Sequence, residues 1–221
     1  MIGDLLQAGG ADTAFPAWLQ AVRGAARSRV ELSGLPGRKL ETWRYSGTKK
    51  LLAAPWVYES GPLYEAFAGS VVGSHTLRGA VAELVFVNGV YSPSLSHIGG
   101  ASGLTVEPLS QSFASRDLSD RLTPREGARH GFDALNAATV RDGVFIDVAP
   151  GAEIREPVHL IFVTVGEGAQ IVCQPRVVVQ VGSQGGLTLV ERHVGTGSEP
   201  TFTNIVSDVS IDDGASLTHH L

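Results

Sequence analysis

The chain has 221 residues, 43% of them hydrophobic, and 17 lysines and arginines against 22 acidic residues give a formal net charge of −5. That is enough for one or two domains with a real core, and an acidic chain without a dense lysine–arginine run is not expected to serve a nucleic acid. One cysteine, Cys173, excludes an internal disulfide framework or a CxxC site. No apolar run approaches the roughly 20 residues that span a bilayer, and no basic segment with an apolar core opens the chain, so a cytoplasmic protein is expected.

Residues 1–12 are small and polar and read as mobile. Phe15, Trp18, Leu19, Val22 and Ala26 recur at helical spacing after Pro16, which predicts a helix from Pro16 to Ser28. Arg23, Arg27 and Arg29 then read as its solvated face. Next comes Leu35-Pro36-Gly37-Arg38-Lys39-Leu40-Glu41-Thr42-Trp43-Arg44-Tyr45-Ser46. It reads as a short amphipathic helix carrying Leu40, Trp43 and Tyr45, with the two aromatics as anchors. Arg38, Lys39 and Glu41 are surface charge, able to pair with each other or to bind something acidic. Lys49-Lys50-Leu51-Leu52 runs on to a breaker at Pro55.

Residues 57–80 show no clean period. Ala82–Val87 and Val90–Ser92 flank Asn88-Gly89, a pair that accepts the positive φ angles of a type I′ turn, so a β-hairpin is predicted. Leu104–Leu109 reads as a strand, Thr123-Pro124 as the start of a turn or helix, and Phe132–Ala138 as a short helix. These elements make residues 1–140 an α+β region.

The remainder, 141–221, reads as all β, with strands near 144–148, 158–165, 169–173, 176–181, 187–194, 202–211 and 215–221. Its glycine turns resemble one another. Gly151 to Gly168 and Gly168 to Gly185 are each 17 residues, whereas Gly185 to Gly214 is 29. Spaced glycine turns, not paired into hairpins, predict a mainly β fold of stacked coils, a parallel β-helix. The chain ends at Leu221 inside a predicted strand, as a C-terminally incomplete β-helix would.

No catalytic constellation is present. His75, His97, His130, His159, His193, His219 and His220 lack HExxH-type spacing, and there is no GxxxxGK[ST] loop or GxSxG elbow. Asp212, Glu191 and Arg192 read as scattered outward residues, and His219 and His220 as pointing to opposite faces of one strand. Cys173 reads as an inert buried strand residue, with a thiolate ligand or sulfur acceptor as the alternative. No catalytic or metal site is therefore expected, and the sequence leaves a cofactor-binding site unknown.

Four segments in order resemble the SufD family. They are Leu35–Ser46; Phe86-Val87-Asn88-Gly89-Val90-Tyr91-Ser92-Pro93-Ser94-Leu95-Ser96; Phe132-Asp133-Ala134-Leu135-Asn136-Ala137-Ala138 with Asp142-Gly143; and Glu156-Pro157-Val158-His159-Leu160 with Phe202-Thr203-Asn204. The resemblance implies a right-handed parallel β-helix behind the α+β region. It further implies a non-enzymatic scaffold subunit of the SUF iron–sulfur cluster assembly machinery, paired with a SufB-like chain and the SufC-like ATPase. Those contacts fall mostly in the family's C-terminal part, and no cofactor is expected on this stretch itself, the cluster being handled by the full complex. Two other readings use the same fold. One is a β-helical carbohydrate-active enzyme, against which the lack of clustered outward carboxylates counts. The other is a self-associating structural module or homodimer.

Overall fold

The computed structural model describes residues 3, 5, 6, 15–124 and 131–221. The expected mobile segment 1–12 and residues 125–130 fall largely outside them, but Leu5 and Leu6 are buried against Ala26, Val30 and Trp56. The helices are α1 (Ala17–Ser33), α2 (Thr48–Ala53), α3 (Pro62–Val72), α4 (Leu109–Ser112), α5 (Ser119–Leu122) and α6 (Gly131–Thr139).

Helix α1 runs a turn past its predicted end and stops at Gly34. There φ is +67° and the amide donates back to the Val30 carbonyl, a glycine C-terminal stop. Arg23 is not on a solvated face. It is buried, donates to the Val140 carbonyl at 3.2 Å and lies over the Phe15 ring. Helix α3 was hidden in the sequence. It buries Tyr64, Ala68 and Val72 at i, i+4 and i+8, a stripe whose middle member is only an alanine.

The hairpin is present as β1 (Ala82–Val87) and β2 (Val90–Tyr91), antiparallel. Asn88 and Gly89 have φ of +49° and +79°, as a type I′ turn requires. Short β3 (His97–Ile98) and β4 (Leu104–Pro108) follow.

From residue 143 the strands are β5 (Gly143–Val148), β6 (Val158–Gly166), β7 (Ile171–Cys173), β8 (Arg176–Val181), β9 (Gly186–Gly197), β10 (Thr201–Thr203), β11 (Val206–Ile211) and β12 (Ser216–His220). The predicted strand 202–211 is split in two at Asn204-Ile205. Each strand pairs in parallel with the strand three later: β5 with β8 and β11, β6 with β9 and β12, β7 with β10. In the same sheets β1 joins β6 in parallel and β4 joins β5 antiparallel, giving sheets of six, four and two strands.

The register corrects the period. Gly143 faces Arg176, Val158 faces Leu189 and Gly186 faces Ser216, offsets of 30 to 33 residues rather than 17. Gly151, Gly168 and Gly185 are therefore not equivalent positions of consecutive repeats. The Gly151 amide bonds the Ser183 carbonyl, and the Gln184 amide bonds the Asp213 carbonyl, so turns about 30 residues apart stack.

Alternate residues of the strands build an inner core: Ala82, Leu84 and Phe86 with Val158, Leu160 and Phe162, facing Val144, Ile146, Val177 and Val179. Phe86 and Phe162 stack at 5.0 Å. The other face of β5 and β8, at Phe145 and Val178, is covered by α1 and by Leu109 to Leu122. That of β1 and β6, at Val85 and Ile161, is covered by α3. Strands β6 and β8 are consequently buried on both sides, which is why apolar residues occupy both of their alternating faces.

Candidate functional site

Three polar clusters interrupt the apolar packing. At the first, Cys173 ends β7, 2% exposed, with its Sγ 3.3 Å from Thr203 Oγ1 and 3.5 Å from Thr164 Oγ1; these two hydroxyls are 2.8 Å apart. Burial pushes the thiol's pKa up, against a smaller opposing pull from the two hydroxyls. Burial of this kind disfavours the thiolate that nucleophiles and metal ligands use. Beside it a cleft of about 10 Å³, room for one water, is lined by Tyr58, Asn88, Gly89, Arg141 and Gln174. The Tyr58 hydroxyl accepts from Gln174 Nε2 at 3.3 Å, and burial raises the tyrosine's pKa.

From Gln174 a chain of side chains climbs the corner. Asn204 Nδ2 donates to Gln174 Oε1 and to the Phe132 carbonyl. Asn136 Nδ2 donates to the carbonyls of Pro175 and Asn204. Buried Arg176 donates through Nη1 to Asp133 Oδ1 at 2.8 Å and through Nη2 to the Arg121 carbonyl at 2.9 Å. Helix α6 is thereby fastened to the turns where β7 passes to β8 and β10 to β11. Four of these bonds end on backbone carbonyls, those of Phe132, Pro175, Asn204 and Arg121, a structural task.

The second cluster is Asp142, buried just before β5. Its Oδ2 accepts from the Tyr91 amide at 2.9 Å, and its Oδ1 from the amides of Ser110 and Gly143 at 2.9 and 2.8 Å. Burial raises this carboxyl's pKa while the three amides oppose the rise. One side chain thus ties the hairpin, α4 and β5 together.

The third is Glu191 on β9. Its register partner is Leu160, so it shares the inner face with Leu189 and His193, and it is 3% exposed. The outward reading is corrected: the alternation Leu187, Leu189, Glu191, His193 carries the signal. Glu191 Oε1 lies 3.0 Å from His219 Nε2 and Oε2 lies 3.4 Å from His193 Nε2. His193 stacks on Phe162 at 5.3 Å, continuing the Phe86–Phe162 column. The inner core therefore turns polar at its upper rungs.

Elsewhere, His159 is fully buried with Nδ1 2.8 Å from Glu83 Oε2 and Nε2 without a partner. His75, His97 and His220 join none of the three clusters, and His130 lies outside the described residues. Of the predicted anchors, Trp43 is half-buried and tilts over Phe132 at 5.1 Å, whereas Tyr45 is 95% exposed and anchors nothing. A 3₁₀ turn at Glu41–Trp43 replaces the expected short helix and ends before Tyr45. Among the described residues no group of three histidine, cysteine or acidic side chains is arranged to hold a metal ion. No described helix is long and apolar enough to cross a membrane.

The fold is a set of parallel ladders beside a helical and hairpin region, with buried polar groups fastening the two together. Comparison with known proteins is specific. The family model described as the SufBD protein N-terminal region matches residues 11–160, and the chain belongs to the SufBD family. It is similar to an iron–sulfur cluster assembly SufBD family protein of Synechocystis sp., 26% identical over 196 residues, covering 84% of this chain and 43% of that protein. It is also similar to the iron–sulfur cluster assembly protein SufD of Bacillus subtilis, 27% identical over 107 residues, covering 47% of this chain and 24% of SufD. The matched stretch spans less than half the length of either relative.

Proposed function

We propose that this chain is the N-terminal part of a SufD-like scaffold subunit of the SUF iron–sulfur cluster assembly machinery, without an enzymatic reaction of its own. The observation that carries the reading is the parallel pairing of each strand from β5 onward with the strand three later, on a base built from the family's own segments. In this reading the three ladders are the faces of a right-handed parallel β-helix. Residues 1–140 form its seat and 141–221 its first coils. The iron–sulfur cluster is cargo of the complex and not a resident cofactor of this chain. A SufB-like chain and a SufC-like ATPase are the partners, contacted mostly by parts of the subunit beyond the matched stretch, in the cytoplasm.

The test is co-expression of the natural gene product, at its native length, with the SufB-like and SufC-like subunits of its own cell. A stable three-component complex surviving affinity purification and gel filtration supports the proposal. A chain that purifies alone, with both other subunits folded and present, counts against it.

A further inference from the structure

The segment Arg38–Lys50 is not used by the scaffold reading. It holds five of the chain's 17 cations, Arg38, Lys39, Arg44, Lys49 and Lys50, against one carboxylate, Glu41, in a protein whose net charge is −5. All five cations are exposed, and none forms an ion pair among the described residues. The segment is nonetheless held in place. Trp43 packs on Phe132, and Pro36 presses on Gly131 so closely that a Cβ there would come within 2.8 Å of it. A Cβ at Gly37 would lie 3.8 Å from Thr48 Oγ1, which sets the first turn of α2, with Lys49 and Lys50, beside the loop.

Beside Arg38 and Lys39 runs a shallow groove of about 330 Å³, lined also by Ser33, Leu35, Pro36 and Leu40. Tyr45 stands out nearby in sequence, almost wholly in solvent. Exposed cations, two of them lining an apolar trough, suit a ligand that is anionic and also carries an apolar side chain. We infer that Arg38–Lys50 is a docking surface for an acidic peptide segment of a partner protein, with an aliphatic or aromatic residue seated over Leu35 and Leu40. The preference for peptide over nucleic acid rests on the apolar lining and on a single exposed aromatic, too few for a stacking track. The inference goes beyond cluster assembly and does not depend on it.

The test is fluorescence anisotropy of the whole chain with a labelled peptide of glutamates and aspartates around one central leucine, and separately with a labelled single-stranded oligonucleotide. Binding of the peptide that weakens with added salt, and weakens about tenfold further in R38E/K39E and in K49E/K50E, is expected for two lost and reversed charge contacts. The control R78E/R155E changes net charge equally in exposed loops outside the segment and is expected to bind like the parent. Changing the central leucine to serine in the peptide is expected to lose a further severalfold. Circular dichroism of each variant establishes that it is folded. No peptide binding by the parent, equal losses in the control, or tighter binding of the oligonucleotide than of the peptide overturns the inference.

Discussion

Gly89, at the tip of the β1–β2 hairpin, lies against Cys173 at the end of β7, so near that a Cβ at Gly89 would come within 2.9 Å of the cysteine Cβ. The hairpin turn and the parallel ladder are thus fitted to each other through a position that only glycine suits, by space and by its φ of +79°. Gly89→Ala introduces both a left-handed alanine and an overpacked contact, and is expected to destabilise the protein by about 3 kcal/mol. Urea unfolding of parent and variant measures it; an unchanged midpoint would show that the turn is not seated on Cys173.

The same cysteine sets an alkaline limit. Cys173 and Tyr58 both have pKa values raised by burial above their ordinary 9 and 10. The folded state therefore holds protons that the unfolded chain releases. The stability linked to them is complete below pH about 9 and is lost as pH rises through the raised folded values. Chemical denaturation from pH 7 to 11 is expected to show falling midpoints above pH 9, with Cys173→Ser starting its decline about one pH unit higher. The native thiol is expected to resist iodoacetamide at pH 8 and to react at once in denaturant.

Trp43 and Tyr45 are expected to behave oppositely. Trp43→Ala removes a half-buried ring from Phe132 and is expected to lower stability by about 2 kcal/mol, less than a fully buried aromatic would. Tyr45→Ala removes nothing packed and is expected to leave the melting temperature within a degree. Thermal unfolding by circular dichroism reads both; equal losses would put Tyr45 back in the core.

How much was legible follows from what each residue can signal locally. Asn88-Gly89 announced its hairpin because two consecutive positive φ angles admit few residues. Strands β5, β6 and β8 were placed at nearly their full lengths because both of their faces are covered and carry apolar residues. The repeat length did not announce itself. Neighbouring turns of one repeat have the same glycine chemistry as stacked turns of successive repeats, so the 17-residue echo was the louder one. The gap of 29 from Gly185 to Gly214 was close to the true offset; only strand pairing separates the two. Helix α3 was muted by Ala68 in its buried stripe, and Tyr45 could face either way until the 3₁₀ turn placed it. Glu191 was misread because a carboxylate suggests solvent, although its place in the alternation pointed inward.

Glu191 yields its own test. Glu191→Leu replaces a buried carboxylate by the residue type that its register partner Leu160 already supplies, and is expected to be neutral or mildly stabilising. Removing both imidazoles in H193A/H219A leaves that carboxylate unpaired and is expected to lower stability by about 2 kcal/mol, short of the full cost of a buried unpaired charge because both histidines are partly exposed. Urea midpoints for the two variants compared with the parent separate a fastener from a tolerated charge.

The most direct test of the scaffold reading is made in the cell. The natural gene is depleted and the activity of an iron–sulfur enzyme such as aconitase is followed, alongside an enzyme without a cluster. The expected result is a severalfold fall in the cluster enzyme alone, reversed when the gene is restored at its native length. Unchanged cluster-enzyme activity after depletion, in a cell with no second SufD-like chain, would contradict a role in cluster assembly.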